Sequence, residues 1–580
     1  MTLDSTAIYK VSPRKFLPAT LEIKKWDDVQ KFFNELLERQ ILNAGELWNW
    51  MSNRSELESV LQEDLGWRYI KMSCDTANEE FKNSFNFFVS EIQPKIAPVS
   101  NELDHKLVAS SFINELKQPG LEIYLRQVRK RIEIYREENI PLIAELQQKE
   151  QEYSEITGAM TVEVDGKELT LQQAANFLRE PDRAKREMVY RKIAVRRLTD
   201  RDKLDDLFDY LVKLRHQVAL NAGFANYRDY MFAALGRFDY TPEDCFAFHK
   251  SIEEEVVALC DEFDKEKRAE LKIEHLRPWD IDAEPEGRQP LVPYQNASEL
   301  VDKTITCFGK MNPFLAECIQ ALNSSSRFDL DSRKGKAPGG YNYPLYESGL
   351  PFIFMNSTNT LRDLVTMVHE GGHAVHSILT KDLELVDYKS FPSEVAELAS
   401  MSMELMSMEH WDEFFKDEKE LQRARKQHLE KVLEALPWIA AVDAFQHWIY
   451  TNPEHTANER REAWRSIYKK FSGNEVDWSG LEDILDNLWQ RQLHIYEVPF
   501  YYIEYGMAQL GAIAVWRNFK QNNEQAVIDY TKALSLGYTK TIGDIYKTAG
   551  VRFDFTKNYI KELSSFVNEQ LKNISPVNVN

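Results

Sequence analysis

Apolar residues recur at spacings of three and four along most of the chain, with charged residues between them, and this period predicts amphipathic helices. Gly and Pro are sparse inside these stretches, as a helix interior requires. The period returns at Thr360 and continues almost to the end. In the first half it is clearest in residues 21–63, 79–96, 121–147, 171–198, 202–220 and 243–268.

The middle of the chain has a different pattern. Residues 275–298 contain four prolines among mixed charges, which predicts a long surface loop. Residues 327–355 contain the short β-like runs RFDLDSR, YNYPLY and PFIFM around a corner at Gly339 and Gly340. We therefore predict a mainly α protein with a small β-sheet placed just before the helix that starts at Thr360. Asp363, three residues after Thr360, gives this helix start the spacing of a capping box.

Length, composition and charge narrow the class of protein. A chain of 580 residues is too long for one compact core. Its content of 43% hydrophobic and 12% aromatic residues is too high for a disordered chain. A net charge of −21 repels phosphate backbones, so we expect no nucleic-acid partner.

The first residues, the apolar runs and the cysteines indicate the cellular location. The first residues lack a signal-peptide pattern, and the longest apolar run is far shorter than the roughly 20 residues of a membrane helix, so we expect no membrane partner. The five cysteines are scattered and form no CxxC. They are typical of reduced thiols in the cytoplasm, and they indicate neither a disulfide framework nor a cysteine zinc site.

The stretch TMVHEGGHAVHSI, residues 366–378, contains three of the twelve histidines. His369 and His373 are four apart, so on a helix both rings face one point in the HExxH arrangement that binds zinc. A catalytic zinc site uses three protein ligands and leaves the fourth position to water, which Glu370 would reach from the next helical position. The alternative is that both histidines are ordinary core residues of a buried helix.

The glycine pair inside this motif favours a functional site. Gly371 and Gly372 each cost about 1 kcal/mol in a helix interior relative to Ala. Two in succession indicate that a second helix or a substrate approaches the backbone closely. His376, one turn further on, is interpreted as a structural residue or as a group behind the ligands.

The segment FPSEVAELASMSMELM, which starts at Phe391, offers a third ligand. Glu394, Glu397 and Glu404 lie on one side of a predicted helix whose other side is apolar. Buried carboxylates must be paired or bind metal, and small residues around Glu397 would fit against the glycine pair. We predict Glu397 as the third ligand, with Glu394 and Glu404 as acceptors for the histidine N–H groups. The alternative is a solvated acidic edge.

A third segment, LHIYEVPFYYIEYGMAQLGA, spans residues 493–512. Tyr502 and Tyr505 are three apart and share one face of a helix that would start near Pro499. Phenol and imidazole groups can donate hydrogen bonds to a developing oxyanion. The alternative is a plain aromatic core stripe.

Together, HEGGHAVH, the Glu397-Leu398-Ala399-Ser400 stretch and HIYEVPFYYIEYG resemble the zinc metallopeptidases of the thimet oligopeptidase type. The resemblance is to the oligoendopeptidase F and Pz-peptidase branch of the M3 family, and it covers the chain from about residue 207 onward with motifs. It implies one bound zinc ion, with Glu370 as the general base and with Tyr501 as an alternative register for the tyrosines. The implied metal ligands are His369, His373 and Glu397, and the implied catalytic groups are Glu370, Tyr505, His494 and Tyr502.

The resemblance also implies a fold and an activity. It predicts two helical lobes around a deep substrate channel, with residues 1–200 forming part of the channel wall and residues 201–580 forming the catalytic region. Such a channel would admit short unfolded peptides for internal cleavage, and residues 351–356 would be an edge strand that pairs with the substrate. The alternatives are a zinc exopeptidase of the dipeptidyl carboxypeptidase type and a non-catalytic helical peptide-binding protein. The oligomeric state is not predicted.

Overall fold

The structure is a computed structural model that describes residues 8–574 apart from positions 12, 287, 334 and 338. The outer ends of the predicted regions 1–200 and 201–580 therefore lie outside the described residues. The same is true of position 287 in the predicted loop and of positions 334 and 338 in the predicted sheet segment. The prediction of a mainly α protein is confirmed. Within the described ranges, no helix has both the length and the hydropathy of a membrane-crossing segment.

The first half of the chain contains fourteen of the labelled helices, and a π-helical turn at Phe88–Ile92 joins the third to the fourth. They are α1 (Asp27–Glu38), α2 (Ala44–Cys74), α3 (Glu79–Phe87), α4 (Gln93–Val108), α5 (Leu121–Ile134), α6 (Asn139–Gly158), α7 (Leu171–Ala175), α8 (Arg183–Thr199), α9 (Arg201–Asn221), α10 (Tyr227–Ala234), α11 (Pro242–Glu255), α12 (Val257–Glu270), α13 (Ala297–Met311) and α14 (Pro313–Ser324).

The second half continues with helices that build the site described below. They are α15 (Leu361–Thr380), α16 (Val386–Lys389), α17 (Ser393–Ser407), α18 (Glu418–Thr451), α19 (Ala457–Phe471), α20 (Glu482–Asp486), α21 (Leu493–Glu497), α22 (Tyr502–Gln521), α23 (Asn523–Leu534), α24 (Ile542–Thr548) and α25 (Lys557–Asn573). Several of the long predicted stretches are split into two helices by local caps. The Asn43 side chain, for example, accepts a hydrogen bond from the Glu46 N–H and starts α2 inside the predicted stretch 21–63.

One β-hairpin was not predicted. Strands β1 (Thr161–Val164) and β2 (Lys167–Thr170) pair antiparallel around Asp165 and Gly166. Both turn residues have positive φ, 53° and 74°, as a two-residue hairpin turn of type I′ requires. The sequence signal for this hairpin is the Asp165-Gly166 pair, which lies between two short stretches of alternating apolar and polar residues.

The predicted small sheet is present between residues 328 and 357. It contains β3 (Phe328–Asp331), β4 (Tyr341–Tyr343) and β5 (Phe352–Ser357) in the order β3-β5-β4, with β5 parallel to β3 and antiparallel to β4. The prediction that residues 351–356 form an edge strand is therefore wrong, because β5 is the central strand. Its nearly continuous burial explains the unbroken apolar run PFIFM. Strand β4 is an edge of this sheet.

The segment 275–298 lies almost wholly between α12 and α13 and is irregular, as predicted, but it is not only a surface loop. The Asp280 carboxylate within it is fully buried and accepts hydrogen bonds from Arg183 and Arg186 on α8. These charge-assisted bonds satisfy the buried carboxylate and fix the loop to α8.

The apolar residues form two large cores. One consists of residues from 17 to 128 together with Leu385 and Tyr388. The other begins with Ile8 and Leu146 and includes most of the remaining chain. These two cores match the two predicted helical lobes, while the division of the chain at residue 200 stays a prediction.

Four helices and the sheet position the site. Helix α17 packs against both α15 and α22, and α22 packs against α18. Strands β4 and β5 lie against α15. The side chains of three distant segments can therefore meet around the middle of α17.

Candidate active site

The HExxH helix, α15, begins as predicted. Thr360 and Asp363 form a reciprocal capping box, in which the Asp363 N–H donates to the Thr360 hydroxyl and the Thr360 N–H donates to the Asp363 carboxylate at 2.8 Å. The Tyr294 hydroxyl also donates to Asp363, at 3.1 Å. These contacts fix the start of α15 and hence the direction of the residues two turns further along.

Close packing between α15 and α17 depends on Gly372. A methyl group at this position would lie 2.7 Å from both the Ala399 carbonyl oxygen and the Ser400 Cα. A methyl group on Gly371 would instead lie 2.9 Å from the Phe308 ring. The close approach that the glycine pair predicts is thus made by a second helix, and it brings Glu397 on α17 to the histidines of α15.

Three donor atoms converge where the two helices meet. Glu397 Oε2 lies 3.3 Å from His369 Nε2 and 3.6 Å from His373 Nε2. The two imidazole rings are nearly perpendicular, at 84°, with centroids 4.9 Å apart. Ligand bonds of about 2.0 to 2.2 Å in a tetrahedral zinc site give ligand–ligand distances of about 3.3 to 3.6 Å. The geometry of these three side chains fits a bound zinc ion.

The surroundings prepare Glu397 and His373 as ligands. Burial disfavours the charged form of Glu397, but His373 and His369 outweigh that cost and lower its pKa to about 2. The Ser400 hydroxyl also donates to Glu397 Oε2 at 2.8 Å. Burial lowers the pKa of His373 to about 4, so this ring is neutral at pH 7, as a metal ligand must be.

Glu404 orients His369. Its Oε1 lies 2.6 Å from His369 Nδ1, so Glu404 accepts the Nδ1–H and holds the ring with Nε2 facing the Glu397 side of the cluster. Glu394 does not have the same role, because its buried carboxylate accepts a hydrogen bond from Tyr240 at 2.5 Å. The expectation that Glu394 contacts a ligand histidine is therefore wrong. The alternative that it lies on a solvated acidic edge is also wrong, because its side chain is buried. His376 stacks on the Phe391 ring with centroids 3.5 Å apart.

Glu370 is buried beside the cluster. Burial raises the pKa of its carboxyl to about 7, with a smaller opposing effect from His369. Its main-chain oxygen accepts a hydrogen bond from the Asn342 side chain on β4 at 3.4 Å, which links the helix to the edge strand. A carboxyl group with a pKa near 7 can exchange a proton in both directions at neutral pH.

The third segment approaches Glu397 through its tyrosines. The Tyr501 hydroxyl lies 3.5 Å from Glu397 Oε1, and the Tyr505 ring packs against Tyr501 with centroids 5.3 Å apart. Burial and the charge of Glu397 raise the pKa of both phenols, so both stay protonated and can donate. The structure thus brings Tyr501 and Tyr505 to the cluster.

His494 also faces this group. Its ring centroid lies 5.9 Å from that of Tyr505 and 4.8 Å from that of Tyr502. Burial lowers the pKa of His494 to about 4, and the Gln492 amide lies 2.7 Å from Nδ1 and donates to it, which leaves the proton on Nε2. Within the described part of the chain, no hydrogen bond joins the Tyr502 hydroxyl to a ligand residue; burial raises the pKa of this phenol, with a smaller opposing effect from Arg491.

Gln446 and Arg237, which no sequence pattern indicates, hold the tyrosine segment in place. Phe500 has a positive φ of 68°, which is strained for a residue with a side chain. Its N–H donates to Gln446 on α18 at 2.7 Å, and Arg237 donates both to its carbonyl oxygen and to Glu504, the latter at 2.9 Å. These buried contacts fix which tyrosines face Glu397.

Comparisons with known proteins identify a peptidase family. The sequence model of "Peptidase family M3" matches residues 176–565, and that of "Peptidase M3 N-terminal domain" matches residues 16–135. Oligopeptidase PepF of Bacillus subtilis (strain 168) is 28% identical over 227 residues, which is 38% of this chain and 33% of the relative. An oligoendopeptidase F homolog of Borreliella burgdorferi is 25% identical over 272 residues, 46% of this chain and 44% of the relative. The chain thus spans less than half the length of these two curated relatives.

Solved structures match over nearly the whole chain. A structure titled "PZ PEPTIDASE A with inhibitor 2" has a TM-score of 0.89 and 27% identity, covering 96% of this chain and 99% of that one. A structure of a putative oligoendopeptidase F has a TM-score of 0.88 and 28% identity, covering 96% and 98%. The arrangement of helices and sheet described above is therefore shared with peptidases of this kind.

Proposed function

The chain belongs to peptidase family M3, and from that premise we propose that it is a zinc-dependent endopeptidase that hydrolyses internal bonds of short unfolded peptides. The convergence of His369, His373 and Glu397, with Glu370 beside them, carries the proposal. The tyrosine hydroxyls and the edge strand β4 at the same place support it.

His369, His373 and Glu397 would hold one zinc ion. When bound, zinc acts as a Lewis acid that polarises a carbonyl and lowers the pKa of a water molecule. Glu404 keeps His369 in the tautomer that can bind, through the 2.6 Å contact with Nδ1.

Glu370 acts as the general base. With a pKa of about 7 it is partly ionised at neutral pH and can take a proton from the attacking water. It then holds this proton at its carboxyl group and transfers it to the nitrogen of the leaving amine. Its burial keeps bulk water from competing for the proton.

Tyr505, Tyr501 and His494 donate hydrogen bonds to the oxyanion that develops on the scissile carbonyl. The raised pKa of both phenols keeps their protons in place, and the Nε2–H of His494 is free to donate. Such fixed donors stabilise the transition state more than the substrate. Tyr502 serves packing against His494 in this scheme.

The substrate backbone pairs with the edge strand β4. This strand pairs on one side with β5, and its Asn342 side chain contacts the main chain of Glu370. An extended peptide added beside β4 would therefore pass close to Glu370. Main-chain pairing requires an unfolded substrate and leaves side-chain preference broad. The five unpaired cysteines support a cytoplasmic location.

Peptides with blocked ends test the proposal. We expect an acetylated and amidated peptide of mixed sequence to be cut internally, with products identified by mass spectrometry. A zinc chelator should stop the reaction and added zinc should restore it. The Glu370→Gln variant, purified in the same way, controls for a contaminating protease. Cleavage limited to dipeptides from free carboxyl ends would instead support a dipeptidyl carboxypeptidase, and no cleavage at all would contradict an enzyme.

A further inference from the structure

A second cluster of metal-binding side chains lies between α11 and α18. Cys245 and His249 are four apart on α11, and Asp443 and His447 are four apart on α18. Each pair therefore shares one helix face, and the two helices pack against each other. All four residues are buried, Cys245 and Asp443 completely.

The donor atoms are close enough to share an ion. One atom each of Cys245, Asp443 and His447 lie within 4.8 Å of one another, and His447 Nε2 lies 3.2 Å from Asp443 Oδ2. Zinc bonds of about 2.0 to 2.3 Å require donor separations of about 3.3 to 3.7 Å, so small side-chain shifts would suffice. In the described part of the chain, only this group and the His369, His373, Glu397 group bring three such donors together.

Several of these buried polar atoms lack a partner. His447 Nδ1 and Asp443 Oδ1 make no hydrogen bond with a described residue. His447 Nε2 lies 3.2 Å from Asp443 Oδ2 but without hydrogen-bond geometry. Asp443 Oδ2 lies 2.8 Å from His249 Nε2, which donates to it. A buried donor or acceptor without a partner destabilises the fold. The unused atoms belong to the two residues that, with Cys245, face one point.

We propose that Cys245, Asp443 and His447 bind a structural zinc-class divalent ion, separate from the catalytic one, while His249 holds the Asp443 carboxylate in place. On binding, the Cys245 thiol releases its proton to solvent and its sulfur coordinates the ion. A thiolate and a carboxylate then balance the two positive charges, so the apolar core contains no net charge. Thiolate with imidazole is a ligand set that favours zinc over magnesium or calcium.

The location explains what the ion would do. It would link α11 to α18 beneath Phe246, whose ring is 43% exposed and lies 4.8 Å from His447, centroid to centroid. On its other side the His447 ring packs against Phe500, 5.3 Å away, where the strained turn before Tyr501 begins. The ion would thus stabilise the helices that support the tyrosine segment.

The zinc content of the full-length protein and of its variants distinguishes the two sites. We expect two zinc ions per chain in the full-length protein and one in the His369→Ala, His373→Ala double variant. Adding Cys245→Ala to the double variant should remove the remaining ion. Cys318→Ala in the same background is the matched control, because Cys318 is an equally buried thiol on α14 away from this cluster.

Cobalt gives a second readout that needs no change at Cys245. After chelator treatment, the double variant is titrated with Co²⁺ and its absorption is recorded. We expect one Co²⁺ per chain with a sulfur-to-metal charge-transfer band, since only the second site contains sulfur. One zinc in the full-length protein, none in the double variant and no such band would overturn the proposal and leave a hydrogen-bonded buried cluster. A band that persists in the Cys245→Ala variant would equally overturn it.

Discussion

Replacing Gly372 with Ala should separate the two helices that form the metal site. The added methyl group would lie 2.7 Å from the Ala399 carbonyl oxygen and the Ser400 Cα, which falls about 0.7 Å short of ordinary contact at 3.4 Å. Both neighbours are backbone atoms of α17, so no side-chain rotation can relieve the overlap. Helix α17 must therefore move away from α15, and Glu397 moves with it.

Gly372→Ala should change zinc binding and kcat/KM more than it changes the free energy of unfolding. Overpacking of this size costs about 1 to 3 kcal/mol, whereas replacing Gly by Ala inside a helix gains about 1 kcal/mol. The net loss of about 0 to 2 kcal/mol leaves the protein folded. Ligand distances in metal sites are defined to about ±0.2 Å, and a shift of about 1 Å in a catalytic group costs about 10²-fold in rate. We expect loss of bound zinc and a 10- to 100-fold lower kcat/KM, each as an order of magnitude.

The assay combines zinc content after gel filtration, kcat/KM on an internally quenched peptide and thermal unfolding. Gly543→Ala is the matched control, because this helical glycine has no neighbour within 4 Å of the added group. Gly371→Ala tests whether the direction of the added methyl group matters, because there the group meets the side-chain ring of Phe308 and not the backbone of α17. Full zinc occupancy and unchanged kcat/KM in Gly372→Ala would refute the reasoning that this contact sets the position of Glu397.

Four other substitutions test the assigned roles. Glu370→Gln should retain zinc and lower kcat by at least about 10²-fold, because the general base is lost; normal turnover would contradict that role. Glu404→Ala should weaken zinc binding about 10- to 100-fold, measured by competition with a chelator, because His369 loses its acceptor. Unchanged zinc affinity would show that Glu404 does not orient the ligand. Tyr505→Phe should lower kcat by about 10² to 10³-fold with zinc retained, whereas Tyr502→Phe should have little effect; the reverse order would return the oxyanion role to Tyr502.

The local parts of the site could be predicted from sequence because they depend on helical geometry alone. The spacing of His369 and His373 requires one face of one helix, whatever surrounds it. The glycine pair indicates a close neighbour, and the small residues around Glu397 identify the segment that provides it. The capping box at Thr360 is likewise a local feature that survives in the structure.

The strand order could not be predicted in the same way, since it depends on pairing between separate segments. The prediction of an edge strand at PFIFM fails because residues buried on both faces are typical of a central strand. Once β5 is central, substrate pairing must shift to β4, which adds Asn342 to the groups around Glu370. The pairing of Cys245 and His249 with Asp443 and His447 was hidden for the same reason, because the two spaced pairs lie about 200 residues apart and on different helices.

The register of the tyrosines shows where prediction from a local period ends. On a regular helix Tyr505 shares a face with Tyr502, three positions before it, and with Tyr501, four positions before it, so the period alone does not decide between them. The helix actually starts at Tyr502, and Phe500 before it has a φ of 68°, which turns Tyr501 toward Glu397. This conformation costs free energy and persists because Gln446 and Arg237, far away in sequence, bind the Phe500 main chain. Replacing Arg237 with Leu leaves Glu504 and the Phe500 carbonyl oxygen without their partner, so it should lower kcat on a quenched peptide with zinc retained; an unchanged kcat would contradict this account of the register.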